Sequence, residues 1–207
     1  MIKVGITGQN GFIGQHLQRT LKLFPDNFKV VPFKKSFFDH DDQLKNFVES
    51  CDTIVHLAAI NRHEDPQVIY DTNIELVQRL ITACRNTNSS PHILISSSTQ
   101  EERDNLYGKS KKDGRKALAK WAKEENAVFT GLVLPNVYGP FGKPFYNSVV
   151  ATFCHQLTHG EQPEIHKDGQ LDLIYVGNLA DKIIDCINQK TDESNYELII
   201  TATIDDG

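Results

Sequence analysis

The stretch from Val4 to Gly14, VGITGQNGFIG, sets an apolar run directly before glycines at positions 8, 11 and 14. A strand that turns sharply into a helix beneath a pyrophosphate needs a backbone without Cβ at three places. These are the turn itself, the point of closest phosphate approach, and the point where helix packs on strand. Gly8, Gly11 and Gly14 supply those places. The first amides of a helix following Gly11 would direct unpaired N–H groups and a partial positive charge at the phosphates. Taken alone, such a triplet is equally a tight strand-to-helix turn. It points to a dinucleotide here because it follows a strand, opens a helix and heads a chain in which the two alternate.

That alternation runs throughout. After IKVGIT, residues Ile13, Leu17, Leu21 and Phe24 recur at helical spacing until FPDN stops them. FKVVPF and TIVHLAA read as strands. PQVIYDTNIELVQRLITACRN reads as a long amphipathic helix opened by Pro66, with Val68, Ile74, Val77, Leu80 and Ile81 on its apolar side. HILISSS is a buried strand, followed by the helix LYGKSKKDGRKALAKWAKEE, the strand VFTGLVL and the helix YNSVVATFCHQL. The short strand DLIYV, the helix NLADKIIDCINQ and a last strand YELII complete the pattern. Near-continuous apolar strands separated by amphipathic helices predict an α/β fold: a doubly wound parallel sheet with helices on both faces.

At 207 residues the chain suits one main domain. Its formal net charge is −5, and its basic residues are spread out except between Lys109 and Lys123, which reads as a solvated helix face. Nucleic acid is therefore not an expected partner. No apolar run approaches the roughly 18 residues of a membrane span, and the first residues lack the regions of a signal peptide, so the expected location is cytoplasmic, with no membrane partner. The four cysteines, Cys51, Cys84, Cys154 and Cys186, form no CxxC pair and read as small hydrophobes. No metal is expected.

Two further groups carry chemistry. The usual reader of the NAD ribose is an acid at the end of the second strand. This chain has Lys34, Lys35 and Ser36 there, two ammonium groups and a hydroxyl suited to a 2′-phosphate, which favours NADP, with NAD the alternative. Asp39 is then open to two roles, holding the adenine amino group or capping a helix. Ser96 to Ser98 end a strand, and Tyr107 and Lys111 follow four residues apart on one helix face. Lowering a tyrosine pKa from about 10 by about three units takes roughly 4 kcal/mol. An ammonium about 4 Å away supplies about 1 kcal/mol in water and about 4 kcal/mol at the effective dielectric of a partly desolvated site. Lys111 is thus expected to hold Tyr107 acidic and to grip the nicotinamide ribose, while Ser98 hydrogen-bonds the substrate oxygen and Tyr107 passes it a proton.

TGQNGFIG, CDTIVHLAA, ILISSS, YGKSK, PNVYGP and LIYVGNLA occur in an order and spacing that resemble the extended short-chain dehydrogenase/reductases, the sugar-nucleotide epimerases, dehydratases and reductases. The resemblance runs from Ile2 to about Ile200. It implies a Rossmann-type sheet of strand order 3-2-1-4-5-6 and cofactor contacts from Gly8, Gly11, Phe12, Ile13, Gly14, Leu57, Ala58, Ala59 and Pro135. It also implies Ser98, Tyr107 and Lys111 as the catalytic trio, and a homodimer through the helices at 66–86 and 105–124. Residues 141–176 and 195–207 would contribute a small, partial substrate-binding portion. Family members continue beyond YELII, so the chain would be either a piece of a longer protein or an abbreviated one.

Within the family, nucleotide-sugar dehydratases follow the catalytic hydroxyl with an Asp-Glu pair; Thr99 and Gln100 stand here and cannot serve elimination. HLAAINR, ISSSTQ, DNLYGKSK and GKPFYNSVVATFC resemble the reductases of capsule and O-antigen synthesis that act on a UDP-linked 4-keto-6-deoxy-N-acetylhexosamine. By that resemblance Asn147 contacts the substrate diphosphate, with a helix cap as the open alternative, and Asn136 and Tyr138 lie near nicotinamide and sugar. Val133, Leu171, Gly177 and Asn178 depart from the family pattern, which loosens the substrate assignment but leaves the trio intact. His56 is read as structural. The expected activity is NADP-dependent reduction of a UDP-sugar; an NAD-dependent 4-epimerase and a non-catalytic NADP-binding regulator are the alternatives.

Overall fold

The computed structural model describes residues 1–146, 148–164 and 171–189, and the backbone of residues 196–199. Along the chain, β1 (Ile2–Thr7) leads to α1 (Phe12–Leu21), and β2 (Phe28–Val31) to α2 (Asp41–Glu49). β3 (Thr53–His56) then leads to α3 (Pro66–Thr87), and β4 (His92–Ser98) to α4 (Leu106–Glu124). β5 (Phe129–Leu134) and β6 (Asn136–Tyr138) precede α5 (Val149–Thr158), β7 (Leu173–Tyr175), α6 (Val176–Asn188) and β8 (Tyr196–Ile199).

Six strands form one parallel sheet in the order β2-β1-β3-β4-β5-β8. β1, β3, β4 and β5 are buried on both sides, so their residues divide between two cores. Ile54, Ile93 and Ile95 pack with Phe47 of α2, Leu80 of α3 and Trp121 of α4; Val4, Ile6, Val55 and Leu94 pack with Leu17 of α1 and Ile183 of α6. This is the expected doubly wound arrangement. The strand order 3-2-1-4-5-6 is not what the described residues form: β2 is the sheet edge. Residues 32–52 hold a 3-10 turn (Lys35–Asp39) and α2 before the chain re-enters the sheet as β3. A parallel crossover takes a dozen or more residues, so this connection has room for one crossover and none for a further strand with a second.

Other expectations change locally. α1 ends at Leu21, and Phe24 lies outside it, half exposed. α3 starts with Asp65 accepting from Gln67 N at 2.8 Å and Pro66 in its first turn, and ends on Asn88 in the left-handed region at φ 50. Val77, Leu80 and Ile81 are buried on it, together with Ile69, Asn73 and Cys84. The basic run on α4 is not one solvated face, because Lys111 is buried. Cys51, Cys84 and Cys186 are buried thiols, whereas Cys154 is exposed. LIYV does not join the main sheet: β7 pairs with β6, which is too short for its own pattern to announce, in a separate two-stranded sheet.

Candidate active site

The chain leaves β1 through Gly8, whose φ of +78 lies in the left-handed region. Gly11 N donates to Gly8 O at 2.9 Å and closes the turn. Gly11 is also the N-cap of α1 and offers no side chain to its first amides, which therefore stay open to an anion. A Cβ on Gly14 would strike the Gly8 carbonyl and come within 2.8 Å of Gln9 Cα. The loop after β3 is fastened to this turn from below. Thr7 Oγ1 and His56 Nδ1 share a hydrogen bond of 2.8 Å, and Ala58 N donates to Thr7 Oγ1 at 3.3 Å. Burial pushes His56 down to about 3, so it is neutral and structural, as read from the sequence.

β4 and α4 form the opposite wall. Ser98 ends β4 and accepts from Gln100 N at 3.2 Å, opening a 3-10 turn (Thr99–Glu102); its own O–H remains available to a ligand. Asn105 Oδ1 accepts from Gly108 N at 2.7 Å and starts α4, which sets Tyr107 and Lys111 one helical turn apart. The three side chains line a cleft of about 870 Å³ shared with Gly8, Gly11, Phe12, Ile13 and Gly14. Leu57, Ala59, Pro135 and Asn136 line it too. Among the described residues Asn136 Oδ1 is buried without a hydrogen-bond partner, a costly state that a ligand donor would relieve.

The electrostatics of the pair differ from expectation. Burial pushes Tyr107 above its ordinary value, with a smaller push from Tyr146, so desolvation and not the neighbouring ammonium governs the phenol. Lys111 is itself pressed down to about 8 by burial, opposed by Glu101.

Several expected residues stand elsewhere. Lys34, Lys35 and Ser36 are exposed after β2, outside the cleft wall, although Gln9 of the glycine loop donates to the Phe33 carbonyl beside them. Asp39 does not cap α2; His40 stands at that position, without a side-chain bond. Ala58 supports the loop through its backbone, and Tyr138 packs on Tyr175 with ring centroids 5.8 Å apart. Asn147 lies outside the described residues, and the cap of α5 is Ser148, accepting from Ala151 N at 3.3 Å.

The sequence reading missed a strap, residues 139–146, that spans the cleft mouth. One end rests on α1, where His16 Nε2 bonds Pro140 O at 2.9 Å and Arg19 lies over the Phe141 ring. The other rests on the loop after β3: Tyr146 OH donates to Asn61 Oδ1 at 2.7 Å, and Arg62 donates to Phe145 O at 3.2 Å. Arg62 and Lys143 each lie 5.1 Å from the Tyr146 ring centroid. Neither is ion-paired to a carboxylate among the described residues. Arg62 sits inside the motif HLAAINR, but no local pattern gave it a partner 83 residues away.

Residues 4–200 match the NAD dependent epimerase/dehydratase family. The chain is 34% identical over 180 residues to a UDP-2-acetamido-2,6-beta-L-arabino-hexul-4-ose reductase of Pseudomonas aeruginosa, covering 86% of this chain and 48% of that protein. Its structure is similar to that of the capsular polysaccharide assembling protein CapF from Staphylococcus aureus, with a TM-score of 0.77, 27% identity, and coverage of 96% and 52%. A UDP-N-acetylglucosamine 4-epimerase from Bacillus cereus shares the fold at a TM-score of 0.81 and 22% identity, over 97% of this chain and 76% of that one. The chain spans about half the length of the first two of these proteins.

Proposed function

Since the chain belongs to the NAD dependent epimerase/dehydratase family, we propose that it is an NADP-dependent reductase of a UDP-linked 4-keto-6-deoxy sugar, acting in bacterial surface-polysaccharide synthesis. The observation that carries this reading is the meeting of Ser98, Tyr107 and Lys111 with the glycine loop in one cleft. The P. aeruginosa relative, a UDP-sugar reductase by name, supports the substrate class.

The residues present fit a dinucleotide: Gly8, Gly11 and Gly14 line the cleft where β1 turns into α1, and the start of α1 carries no side-chain cap. The nicotinamide, when bound, supplies the hydride. Tyr107 starts as a phenol, the form burial favours here, and donates its proton to the oxygen that becomes an alcohol. Ser98 hydrogen-bonds the same oxygen, and the Lys111 ammonium stabilises the phenolate that remains. A 4-epimerase begins with an oxidation, and the P. aeruginosa relative, a reductase by name, favours reduction over that reading. Elimination is not served either, since Glu101, the acid nearest the end of β4, is engaged by Arg115 and does not line the cleft. The intact trio argues against a non-catalytic regulator.

Arg62 and Lys143 suit the substrate diphosphate, and Asn147 is retained as a contact to it; Asn136 and Tyr138 are assigned to the sugar side. Residues 141–176 and 195–207 form the substrate portion of a single dinucleotide-binding domain. Lys34, Lys35 and Ser36 are assigned to a 2′-phosphate and Asp39 to the adenine. The reading extends to a homodimer through α3 and α4 in the cytoplasm. In its support, the described residues contain no helix long and apolar enough to cross a membrane.

The test is coenzyme oxidation by this protein with a UDP-4-keto-6-deoxy-N-acetylhexosamine. We expect sugar-dependent oxidation with NADPH preferred over NADH, and a reversed preference when Lys34→Glu is combined with Lys35→Glu. Absence of sugar-dependent turnover would overturn the reductase, and a parental preference for NADH would overturn the cofactor choice.

A further inference from the structure

Behind the cleft wall lies a buried ion pair that the mechanism leaves unused. Glu101 is 7% exposed. Arg115 Nε and Nη2 donate to its two oxygens at 2.9 and 2.7 Å, and Ser97 Oγ donates to Oε1 as well. Ser97 directly precedes Ser98 on β4, and Arg115 lies one helical turn beyond Lys111 on α4. The Arg115 stem crosses β5 at Gly131, where a Cβ would come within 2.8 Å of Arg115 Cδ. At Gly108 the 3-10 turn touches α4 so closely that a Cβ would strike the Gln100 carbonyl. One carboxylate thus joins the strand that ends in Ser98 to the helix that carries Tyr107 and Lys111.

A buried ion pair is seldom a good stabiliser compared with apolar packing, because both charges must be desolvated. We propose that Glu101 and Arg115 are positioning residues of the active site: they fix Ser98 against the face of α4 that carries Tyr107 and Lys111. The role in turnover rests on the reductase reading; the effect of the Glu101 charge on Lys111 does not.

Glu101 from the 3-10 turn acts on Lys111 and Tyr146 from the strap acts on Tyr107, while Lys111 acts on His56 of β3 and Arg115 of α4 acts on Glu101. His56 is neutral at the pH of interest. Glu101 is the group that opposes the burial of Lys111. Replacing it by glutamine removes a negative charge and leaves Arg115 cationic, so the Lys111 midpoint falls below about 8. Replacing Arg115 by methionine removes a cation together with the bonds that oppose the burial of the Glu101 carboxylate, so any proton that Glu101 takes up is offset by the lost positive charge and the midpoint falls less than in Glu101→Gln.

The experiment follows the Lys111 ammonium by carbon-13 NMR in the full chain with lysine labelled at Cε, assigned with Lys111→Met, and measures turnover in parallel. Glu101→Gln is expected to lower the midpoint by about half a unit or more, and Arg115→Met to lower it less or not at all. Both are expected to reduce kcat on the order of tenfold with little change in KM for the sugar nucleotide. A pair that only stabilised the fold would move the midpoint alike in both variants or in neither, and either result overturns the proposal. Should Glu101→Gln not fold, Glu101→Asp keeps the charge and shortens the reach. It is expected to give a parental midpoint with reduced turnover, and parental turnover would overturn the positioning role. Failure of the reductase reading would show separately, as missing sugar-dependent turnover in the parental protein while the NMR titration still reads Lys111.

Discussion

α4 and α5 both flank the candidate site, yet they are built in opposite ways. α4 buries Gly108, Ser110, Lys111, Gly114, Leu118, Trp121 and Ala122, although its sequence is rich in lysine. α5, VVATFCHQLT, is far more apolar and buries no residue. Most helical stability comes from packing an amphipathic face, so α4 is locked into the body while α5 depends on its ends. Its cap is Ser148, Phe145 N donates to Thr152 Oγ1 at 2.9 Å, and the strap before it holds on through polar and ring contacts. The cofactor wall is thus part of a packed core, whereas the substrate wall is attached to it. Regions with few buried apolar contacts open at lower free energy, so the α5 side is expected to open before the α4 side.

The largest effect should separate the two walls by stability. Leu118 is 0% exposed and Leu157 is 64% exposed. Leu118→Ala is expected to cost about 2–5 kcal/mol in chemical denaturation, and Leu157→Ala to stay within about 0.5 kcal/mol. Comparable losses would mean that α5 is covered by packing and that the contrast fails.

Next in size is a contrast between tyrosines. Tyr107→Phe should reduce turnover at least about a hundredfold while NADPH affinity stays within about twofold, as for loss of a general acid. Tyr146→Phe removes the bond to Asn61 at the strap. It should raise KM for the sugar nucleotide a few-fold, about the worth of one exposed hydrogen bond, and spare kcat. Near-parental rates for Tyr107→Phe would remove tyrosine from the chemistry.

A further effect concerns the support beneath the glycine loop, and near neutral pH it is the smallest, growing only as pH falls. His56 is held at about 3 in the folded protein against an ordinary 6.5. Between those values the unfolded chain binds a proton that the native one does not. The stability this residue contributes is therefore present above 6.5 and lost as pH falls toward 3, at about 1.4 kcal/mol per pH unit. Subtracting the stability-pH curve of His56→Gln from the parental curve should isolate that slope; parallel curves would show that His56 titrates normally.

The cofactor wall was legible in the sequence because its signals are local. The glycine turn, the strand and helix alternation and the four-residue spacing of Tyr107 and Lys111 all lie within single elements or adjacent ones. What escaped depends on residues far apart. The strap contacts join Phe145 to Arg62 and Pro140 to His16, and β6 is three residues long, below the length at which period-two patterning can be seen. Strand order was borrowed from the resemblance, and the short connection at residues 32–52 defeats it. The direction of the Tyr107 shift was misjudged because spacing along a helix reveals a neighbouring charge but not how deeply the pair is buried. The lysine run on α4 misled for the same reason: Lys111 is buried and Arg115 turns inward to Glu101, while Lys109, Lys116 and Lys120 face water.

The central claim is that the wall formed by the glycine loop and α4 is packed into the core, while the wall formed by the strap and α5 is loosely held. Calorimetric titration of one protein preparation with NADPH and, separately, with a UDP-N-acetylhexosamine tests it most directly. The account predicts that NADPH binds at least about tenfold more tightly, a difference of about 1.4 kcal/mol or more. Sugar-nucleotide binding as tight as that of NADPH, or no NADPH binding at all, would contradict it.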